Sequence, residues 1–408
     1  MKFVVVLADG MADYPLQELG NKTPLQAADK PSIDCIARYG DLGMVKTIPP
    51  GMYPGSDTAN LSVMGYDPRT CYSGRSPFEA VSMGVPLKDT DVTFRCNFVT
   101  LSADEPYEEK VMLDHSADEI STEEAGALLA AVQERLHTEV LNFYPGVSYR
   151  HILVWNEAPF DFSLTPPHDI LGKKIKDFLP AGPYGEMFLQ MMRKSNSFLK
   201  DHPVNIRRSQ KGLGTANSIW LWGEGKKPAV SSFYEKYHVR GSVISAVDLV
   251  KGIGLCAGLK SIDVPGATGN YQTNYLGKAQ AALDALEKGD DFVYIHIEAP
   301  DECGHRHEIE NKVKAIESID KLVIKTIMDG LDGRGEDYKM MVLPDHPTPL
   351  KLRTHTAEPV PFLIFQSNRL VEKPQQVYDE FYPRNTGLYF VEGYRLMDYF
   401  MSSGLLID

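Results

Sequence analysis

Carboxylates and imidazoles stand directly behind three of the most apolar stretches of this chain. Residues 3–8 run into Asp9. Residues 292–297 are followed by Asp301 and, one helical turn further on, His305. Residues 340–344 run into Asp345-His346, with His355 shortly beyond. A charged pair next to a buried run is costly unless something ligates it. Asp301 and His305, four apart, share one face if that segment is helical and so could share one metal ion. Taken singly, Asp9 reads as a helix cap and His355 as a surface histidine; jointly, these six nitrogen and oxygen donors read as a two-metal site. A donor set of carboxylate and imidazole without thiolate suits Mn²⁺, Zn²⁺ or Mg²⁺.

The elements that must position these groups follow from the same pattern. Short continuous β-branched runs are strands buried on both faces, which implies a mainly parallel sheet between helices. Ligands in such α/β folds bind beyond the carboxyl ends of the strands, where the acids and histidines sit. Ser56 closes a Pro- and Gly-rich loop (47–56) ahead of a segment, 57–64, that reads as helical. Its local sequence suits a turn serine or a helix N-cap. Beside a metal that lowers its hydroxyl pKa, it becomes a nucleophile able to attack phosphorus.

The pattern changes near Pro86. Val92, Phe94, Cys96 and Phe98 alternate with Thr93, Arg95 and Asn97, the signature of an antiparallel strand with one polar, half-exposed face. Ser121-x-x-Glu124 is a capping box opening an amphipathic helix to 136, and strands are expected at 140–144 and 151–155. Residues 88–182 therefore read as an inserted α+β domain, with 1–87 and 183–408 as the core domain. Within the core, 187–199 and 274–287 read as helices, and 218–222 and 242–246 as core strands.

Bulk properties exclude several function classes. A formal charge of -13 argues against nucleic acid or an anionic membrane as the main partner. The five cysteines are scattered and never spaced C-x-x-C, which suits reduced thiols in a cytoplasm. The apolar run after Lys2 stops at Asp9, too short for a secretory signal, and no stretch approaches a membrane span. A cytoplasmic protein is expected. There is no Walker-type phosphate loop, and the sequence gives no oligomeric state.

Leu7-Ala8-Asp9-Gly10, Pro54-Gly55-Ser56-Asp57, Gly65-Tyr66-Asp67-Pro68, Thr268-Gly269-Asn270-Tyr271, Asp301-x-x-x-His305 and Asp345-His346 together resemble the archaeal-type cofactor-independent phosphoglycerate mutases. That family belongs to the alkaline phosphatase superfamily, and the resemblance runs nearly end to end. It implies an α/β core with an inserted lid, two divalent ions and a phosphoserine intermediate on Ser56. One ion would be held by Asp301, His305 and His355, the other by Asp9, Asp345, His346 and the oxygen of Ser56. The substrate would be a small phosphorylated metabolite, 3-phosphoglycerate converted to 2-phosphoglycerate. Lys278, Arg75, Arg150 and Arg207 are candidates to grip its phosphate and carboxylate.

One segment departs from the family. Where archaeal members carry arginines in the insert, residues 113–119 here read Leu-Asp-His-Ser-Ala-Asp-Glu. A related bacterial subgroup has been proposed to act as homoserine kinases, and His115 with Asp118 would suit a substrate bearing an ammonium. Homoserine kinase is thus the alternative activity on the same metal chemistry. A non-catalytic metal-binding protein is the third reading.

Overall fold

The computed structural model describes residues 1–402. The chain forms two compact units, one of Met1–Tyr72 with Val230–Asp408, the other of Ser73–Ala229. In chain order the strands are β1 (Lys2–Ala8), β2 (Asp41–Val45), β3 (Val92–Leu101), β4 (Met112–Asp114), β5 (Leu141–Tyr144), β6 (Arg150–Trp155), β7 (Ser218–Lys226), β8 (Gly241–Ile244), β9 (Lys260–Ile262), β10 (Phe292–Ile297), β11 (Tyr338–Leu343), β12 (Val360–Gln366) and β13 (Tyr389–Phe390).

The first unit is built on a sheet of order β13-β2-β12-β11-β1-β10-β8-β9. It is parallel except where β12 runs against β11 and β2. The three apolar runs singled out in the sequence are its centre: β1 lies between β10 and β11 and is parallel to both. Being central explains their composition, since both faces are covered and neither can be polar. Val4, Val6, Val293, Ile295 and Val342 pack on Ala279, Ala282, Leu283 and Leu286 of helix Tyr275–Glu287, and on Ala315 and Ile316 of helix Ile309–Ser318. Each such fully buried aliphatic contributes about 1.5–3 kcal/mol. Tyr294 and His296 alternate onto the opposite face, where the Tyr294 hydroxyl donates to Asn60 Oδ1 (2.7 Å) on helix Ser56–Val63. The register pairs Leu7 with both His296 and Leu343, so three strands end level and deliver Asp9, the segment leading to Asp301, and Asp345 to one edge.

The second unit is a five-stranded antiparallel sheet, β4-β3-β6-β5 with β7 on the other side of β3. Its boundaries differ from the 88–182 expected from sequence. β7 pairs with β3 from Val92↔Lys226 to Val99↔Ser218, so 218–222 is a strand of the insert and not of the core. Phe188, Met191, Met192 and Leu199 of helix Gly185–Leu199 fill the same hydrophobic cluster as β3 and β7. At the other end, Ser76 at the start of helix Ser76–Ser82 bonds the Thr93 side chain (2.7 Å) and backbone carbonyl (3.0 Å).

That last contact corrects a second expectation. The polar face of β3 is not half-exposed: Thr93, Arg95 and Asn97 are all buried. Alternation identifies a strand with two unlike faces but cannot tell a solvated polar face from one covered by a polar network. The capping box is also only half formed. Ser121 Oγ accepts from Glu124 N (3.2 Å), but the Glu124 carboxylate turns to Arg208 (2.6 Å).

Candidate functional site

Every metal-ligand candidate lies in the first unit, and the structure brings all of them together with Ser56. Asp9 follows β1, its backbone N–H donating to Ile297 O (3.0 Å) of β10. Asp301 and His305 occupy successive turns of helix Ala299–Arg306 and face each other, Asp301 Oδ2 to His305 Nε2 being 3.2 Å. His355 Nε2 is 3.3 Å from Asp301 Oδ1 and 2.9 Å from His305 Nε2. His346 Nε2 lies 3.4 Å from Asp345 Oδ2 and 3.7 Å from Asp9 Oδ1. One donor atom each from Asp301, His346 and His355 falls within 4.8 Å of the others, and the same holds for Asp9, Asp345 and His346.

Gly10 makes this convergence possible. Its φ is +63°, and a Cβ there would meet Asp301 Oδ1 and Thr348 Oγ1 at 2.6 Å each.

Ser56 is not the helix cap that its local sequence suggested. Gly55 occupies the cap position, Ser56 is the first residue of helix Ser56–Val63, and its side chain caps nothing. Instead Ser56 Oγ lies 3.3 Å from Asp9 Oδ2 and 3.2 Å from His346 Nε2. A hydroxyl at a helix N-terminus, among groups that hold cations, is well placed to meet a phosphoryl group.

Two features of these residues fit a bound divalent cation. Among the described residues Asp9 Oδ1 is buried with no hydrogen-bond partner. The far nitrogen of each imidazole is engaged: His305 Nδ1 with Arg353 O (3.0 Å), His355 Nδ1 with Pro54 O (3.3 Å) and His346 Nδ1 with Thr348 Oγ1 (3.3 Å). A carbonyl can only accept, so in His305 and His355 the Nδ1 carries a proton, and Nε2 is the nitrogen turned inward to Asp301, the one that can bind a metal once it gives up its own proton. The electrostatics agree. Burial, then Asp345 and Asp301, hold the Asp9 carboxyl well above its ordinary range. Burial would also raise Asp301, but hydrogen bonds from His305 and His355 outweigh it and hold that carboxyl well below. The same Asp301 bond pushes His305 up to about 9. Burial pushes His346 down.

Several residues of the site were missed by the sequence reading. His296 Nε2 meets Asp9 Oδ2 at 2.8 Å, and burial pushes this imidazole down to about 3. Asn60 Nδ2 spans Ser56 O (2.8 Å) and Asp345 Oδ2 (3.1 Å). Thr348 Oγ1 donates to Asp301 Oδ1, and Lys312 Nζ joins Asp13 Oδ2 (2.7 Å) to Thr348 O (2.8 Å). The available signal was the polar members of otherwise apolar segments, His296 in 292–297 above all.

The candidates for gripping substrate are placed unevenly. Lys278 is wholly buried, with Nζ donating to His296 O (2.8 Å); burial pushes it down to about 8, the Glu298 carboxylate partly offsetting that. It therefore braces β10 from behind instead of presenting its charge to solvent. In the second unit Arg75 and Arg95 both bind the Glu79 carboxylate, at 2.9 and 3.0 Å, and Arg150 adds to the same field. Arg95 stacks on Trp222 (4.4 Å) and Arg150 on Tyr149 (5.4 Å). His115 packs edge-on to Tyr149 (5.8 Å) and His168 (6.2 Å). Arg75, Arg150 and His115 thus belong to one neighbourhood, whose central arginine, Arg95, the sequence reading had assigned to a solvated face. Arg207 is exposed on helix Pro203–Gln210 and takes part in none of these contacts.

Comparison with known proteins bears directly on this site. The family model for 2,3-bisphosphoglycerate-independent phosphoglycerate mutase matches residues 37–205. A Geobacter sulfurreducens protein named "Probable 2,3-bisphosphoglycerate-independent phosphoglycerate mutase" is 51% identical over 98% of this chain and 99% of its own. The chain belongs to this mutase family. A Methanothrix thermoacetophila 2,3-bisphosphoglycerate-independent phosphoglycerate mutase is 48% identical over 96% of this chain and 97% of its own. Among solved structures, the PH0037 protein of Pyrococcus horikoshii superposes with a TM-score of 0.81 at 30% identity, covering 98% of this chain and 96% of that one. No helix among the described residues is long and apolar enough to cross a membrane.

Proposed function

We propose that this chain interconverts 3-phosphoglycerate and 2-phosphoglycerate without bisphosphoglycerate, through a phosphoserine on Ser56. The observation that carries the proposal is the placement of Ser56 Oγ, within 3.3 Å of both an Asp9 oxygen and His346 Nε2. The relatives' names supply the substrate. The ligand sets we assign are Asp301, His305 and His355 for one divalent ion of the Mn²⁺, Zn²⁺ or Mg²⁺ type, and Asp9, Asp345, His346 and Ser56 Oγ for a second. When bound, such ions lower the cost of an alkoxide and neutralise phosphoryl charge.

The protein's own part is positional. Asn60 ties the Ser56 backbone to Asp345, so the nucleophile and one carboxylate move as a unit. Ser56 Oγ attacks phosphorus, the glycerate oxygen leaves with a proton, and the reverse attack by the neighbouring hydroxyl restores Ser56. Between the two steps the glycerate must be held and kept from water. We assign the inserted unit to that task, as a lid, with Arg75, Arg95 and Arg150 as the grips for phosphate or carboxylate. Three guanidiniums around one carboxylate leave positive charge to spare for an oxyanion.

The homoserine kinase alternative drew its support from the arginine-free segment 113–119. The Glu79 cluster removes that support, because the insert draws its arginines from other elements. Asp118 is also engaged, its Oδ2 accepting from Gly214 N (3.4 Å) outside the segment, while Asp114 Oδ1 accepts from Ser116 N (2.8 Å) within it. The complete donor set weighs against a non-catalytic protein. The test is a paired assay on Mn²⁺-loaded protein: 3-phosphoglycerate isomerisation without nucleotide, and phosphohomoserine formation from ATP and homoserine. Isomerisation that vanishes in Ser56→Ala supports the proposal; isomerisation that persists in Ser56→Ala, or phosphohomoserine as the sole product, overturns it.

A further inference from the structure

The Asp9 carboxylate is held through one oxygen, Oδ2, closely by His296 (2.8 Å) and at longer range by Ser56 Oγ (3.3 Å), and the way it is held points to a role for two residues outside the ligand set. Leu7 is in register with His296, so the histidine stands beside the strand that ends in Asp9. His296 Nε2 reaches Asp9 Oδ2 at 2.8 Å, while its Nδ1 lies 3.1 Å from Ser245 Oγ, just beyond the end of β8. Ser245 Oγ already accepts a hydrogen bond from Val247 N (3.0 Å), and its contact with Val247 O is long at 3.5 Å. Its proton is therefore directed to His296 Nδ1. With Nδ1 accepting, the neutral imidazole carries its single proton on Nε2, which donates to Asp9. All three groups are buried.

We infer that Ser245 and His296 are positioning residues that fix the Asp9 carboxylate, occupying Oδ2 with a neutral donor and leaving Oδ1 as the metal-binding oxygen. The inference rests on the proposed metal centre. Oδ1 is the buried oxygen without a partner, and it is the one on the His346 side. The choice of donor matters. Arginine or lysine at position 296 would also hold Asp9 but would neutralise it, and the carboxylate would lose its attraction for a cation. Imidazole holds the geometry and leaves the charge. Asp345 is treated the same way: its oxygens accept from Gly10 N (3.1 Å), His346 N (2.9 Å) and Asn60 Nδ2 (3.1 Å), all uncharged donors.

The test measures Mn²⁺ affinity by titration calorimetry on wild type, His296→Met, His296→Gln and Ser245→Ala, with substrate absent. Methionine fills the space without a donor; the glutamine amide returns an N–H near the Nε2 position. Outer-shell losses of this kind cost roughly 10–100-fold in metal affinity. That loss is expected for His296→Met, most of it recovered by His296→Gln, and a smaller loss of the same sign for Ser245→Ala, which frees the imidazole to take the other tautomer. A packing role alone gives no recovery with glutamine. Wild-type affinity in a folded His296→Met, or equal losses in the methionine and glutamine variants, overturns the inference. Should His296→Met fail to fold, unchanged affinity in Ser245→Ala does the same. Wild-type protein that binds no Mn²⁺ overturns instead the metal reading beneath it, so the two failures are distinct.

Discussion

Replacing a residue of the proposed centre should make the metal-free protein more stable. In Asp9→Asn the change removes one of two carboxylates whose oxygens lie within 4.8 Å in the buried cluster. Two unit charges at that separation repel by about 3 kcal/mol at an effective dielectric of about 20. Asparagine keeps an oxygen for His296 Nε2 to donate to. It can also turn its amide N–H toward the Asp345 and His346 side, where Asp9 Oδ1 has no partner. Allowing for incomplete relief, the expected gain is about 1–3 kcal/mol in the presence of chelator. At roughly 2–4 °C per kcal/mol for a domain of this size class, that is an upward shift of roughly 2–12 °C in Tm.

The pH dependence carries a definite sign. Burial and the Asp345 carboxylate raise the Asp9 pKa above its ordinary 3.8, so the folded state holds that proton more tightly than the unfolded chain. Stability of the metal-free wild type is therefore lost as pH climbs from about 3.8 through the raised folded value. Asp9→Asn lacks this loss, so the gap between the two proteins opens with rising pH and closes toward pH 4. Saturating Mn²⁺ inverts the order: a ligand at about a thousand times its Kd stabilises wild type by about 4 kcal/mol, and the variant gains less. Thermal denaturation of both proteins at two pH values, in EDTA and in Mn²⁺, reads all of this. A variant less stable than wild type in EDTA at pH 8, or equal Mn²⁺-induced shifts in the two proteins, would refute the reasoning.

Three further outcomes are expected. Because the Asp301 hydrogen bond raises His305 to about 9, Mn²⁺ binding at pH 7 should release a proton from it, with affinity rising about tenfold per pH unit and levelling above pH 9; calorimetry in buffers of different ionisation heat measures the proton count, which should fall in His305→Ala. Lys312→Met leaves Asp13 buried without its 2.7 Å partner and should cost about 3–5 kcal/mol in denaturant titrations, with part recovered by adding Asp13→Asn. Arg95→Lys keeps a charge but loses the planar fork between Glu79 and Trp222, so KM for phosphoglycerate should rise about tenfold (about 1.4 kcal/mol) while Mn²⁺ affinity holds.

That the candidate acids and histidines gather at one edge of the sheet was legible in the sequence, because a strand buried on both faces leaves charge nowhere to go but its end. Phe292-Val-Tyr-Ile-His-Ile297 shows the limit of that logic: His296 sits inside the run, and one polar residue within an apolar strand does not announce which neighbour it serves. Its partner, Ser245, comes from the end of a different strand, and only the parallel register of β8 with β10 brings the two together. The insert was legible as an antiparallel α+β unit but not in its extent. Nothing in Ser218–Trp222 distinguishes a strand of the core from one pairing with β3, because pairing partners far apart in sequence are chosen by tertiary fit. Arg95 was misread for a related reason. Alternating polarity means water or a buried network, and only the covering helix Ser76–Ser82, with Glu79 on it, decides between them.

Donor charge, more than donor identity, organises the centre. The side chains and amides that hold Asp9 and Asp345 are all neutral: an imidazole, a carboxamide, a serine hydroxyl and two backbone N–H groups. The buried cations nearby are spent elsewhere, Lys312 on Asp13 and Lys278 on a carbonyl. A fold seeking only stability would set a lysine against Asp9, as it does against Asp13. Leaving that position to neutral donors keeps the carboxylate charge uncompensated and available to the proposed divalent ion. The same uncompensated charge is what Asp9→Asn removes, so higher metal-free stability and weaker metal binding in that variant are one effect measured twice.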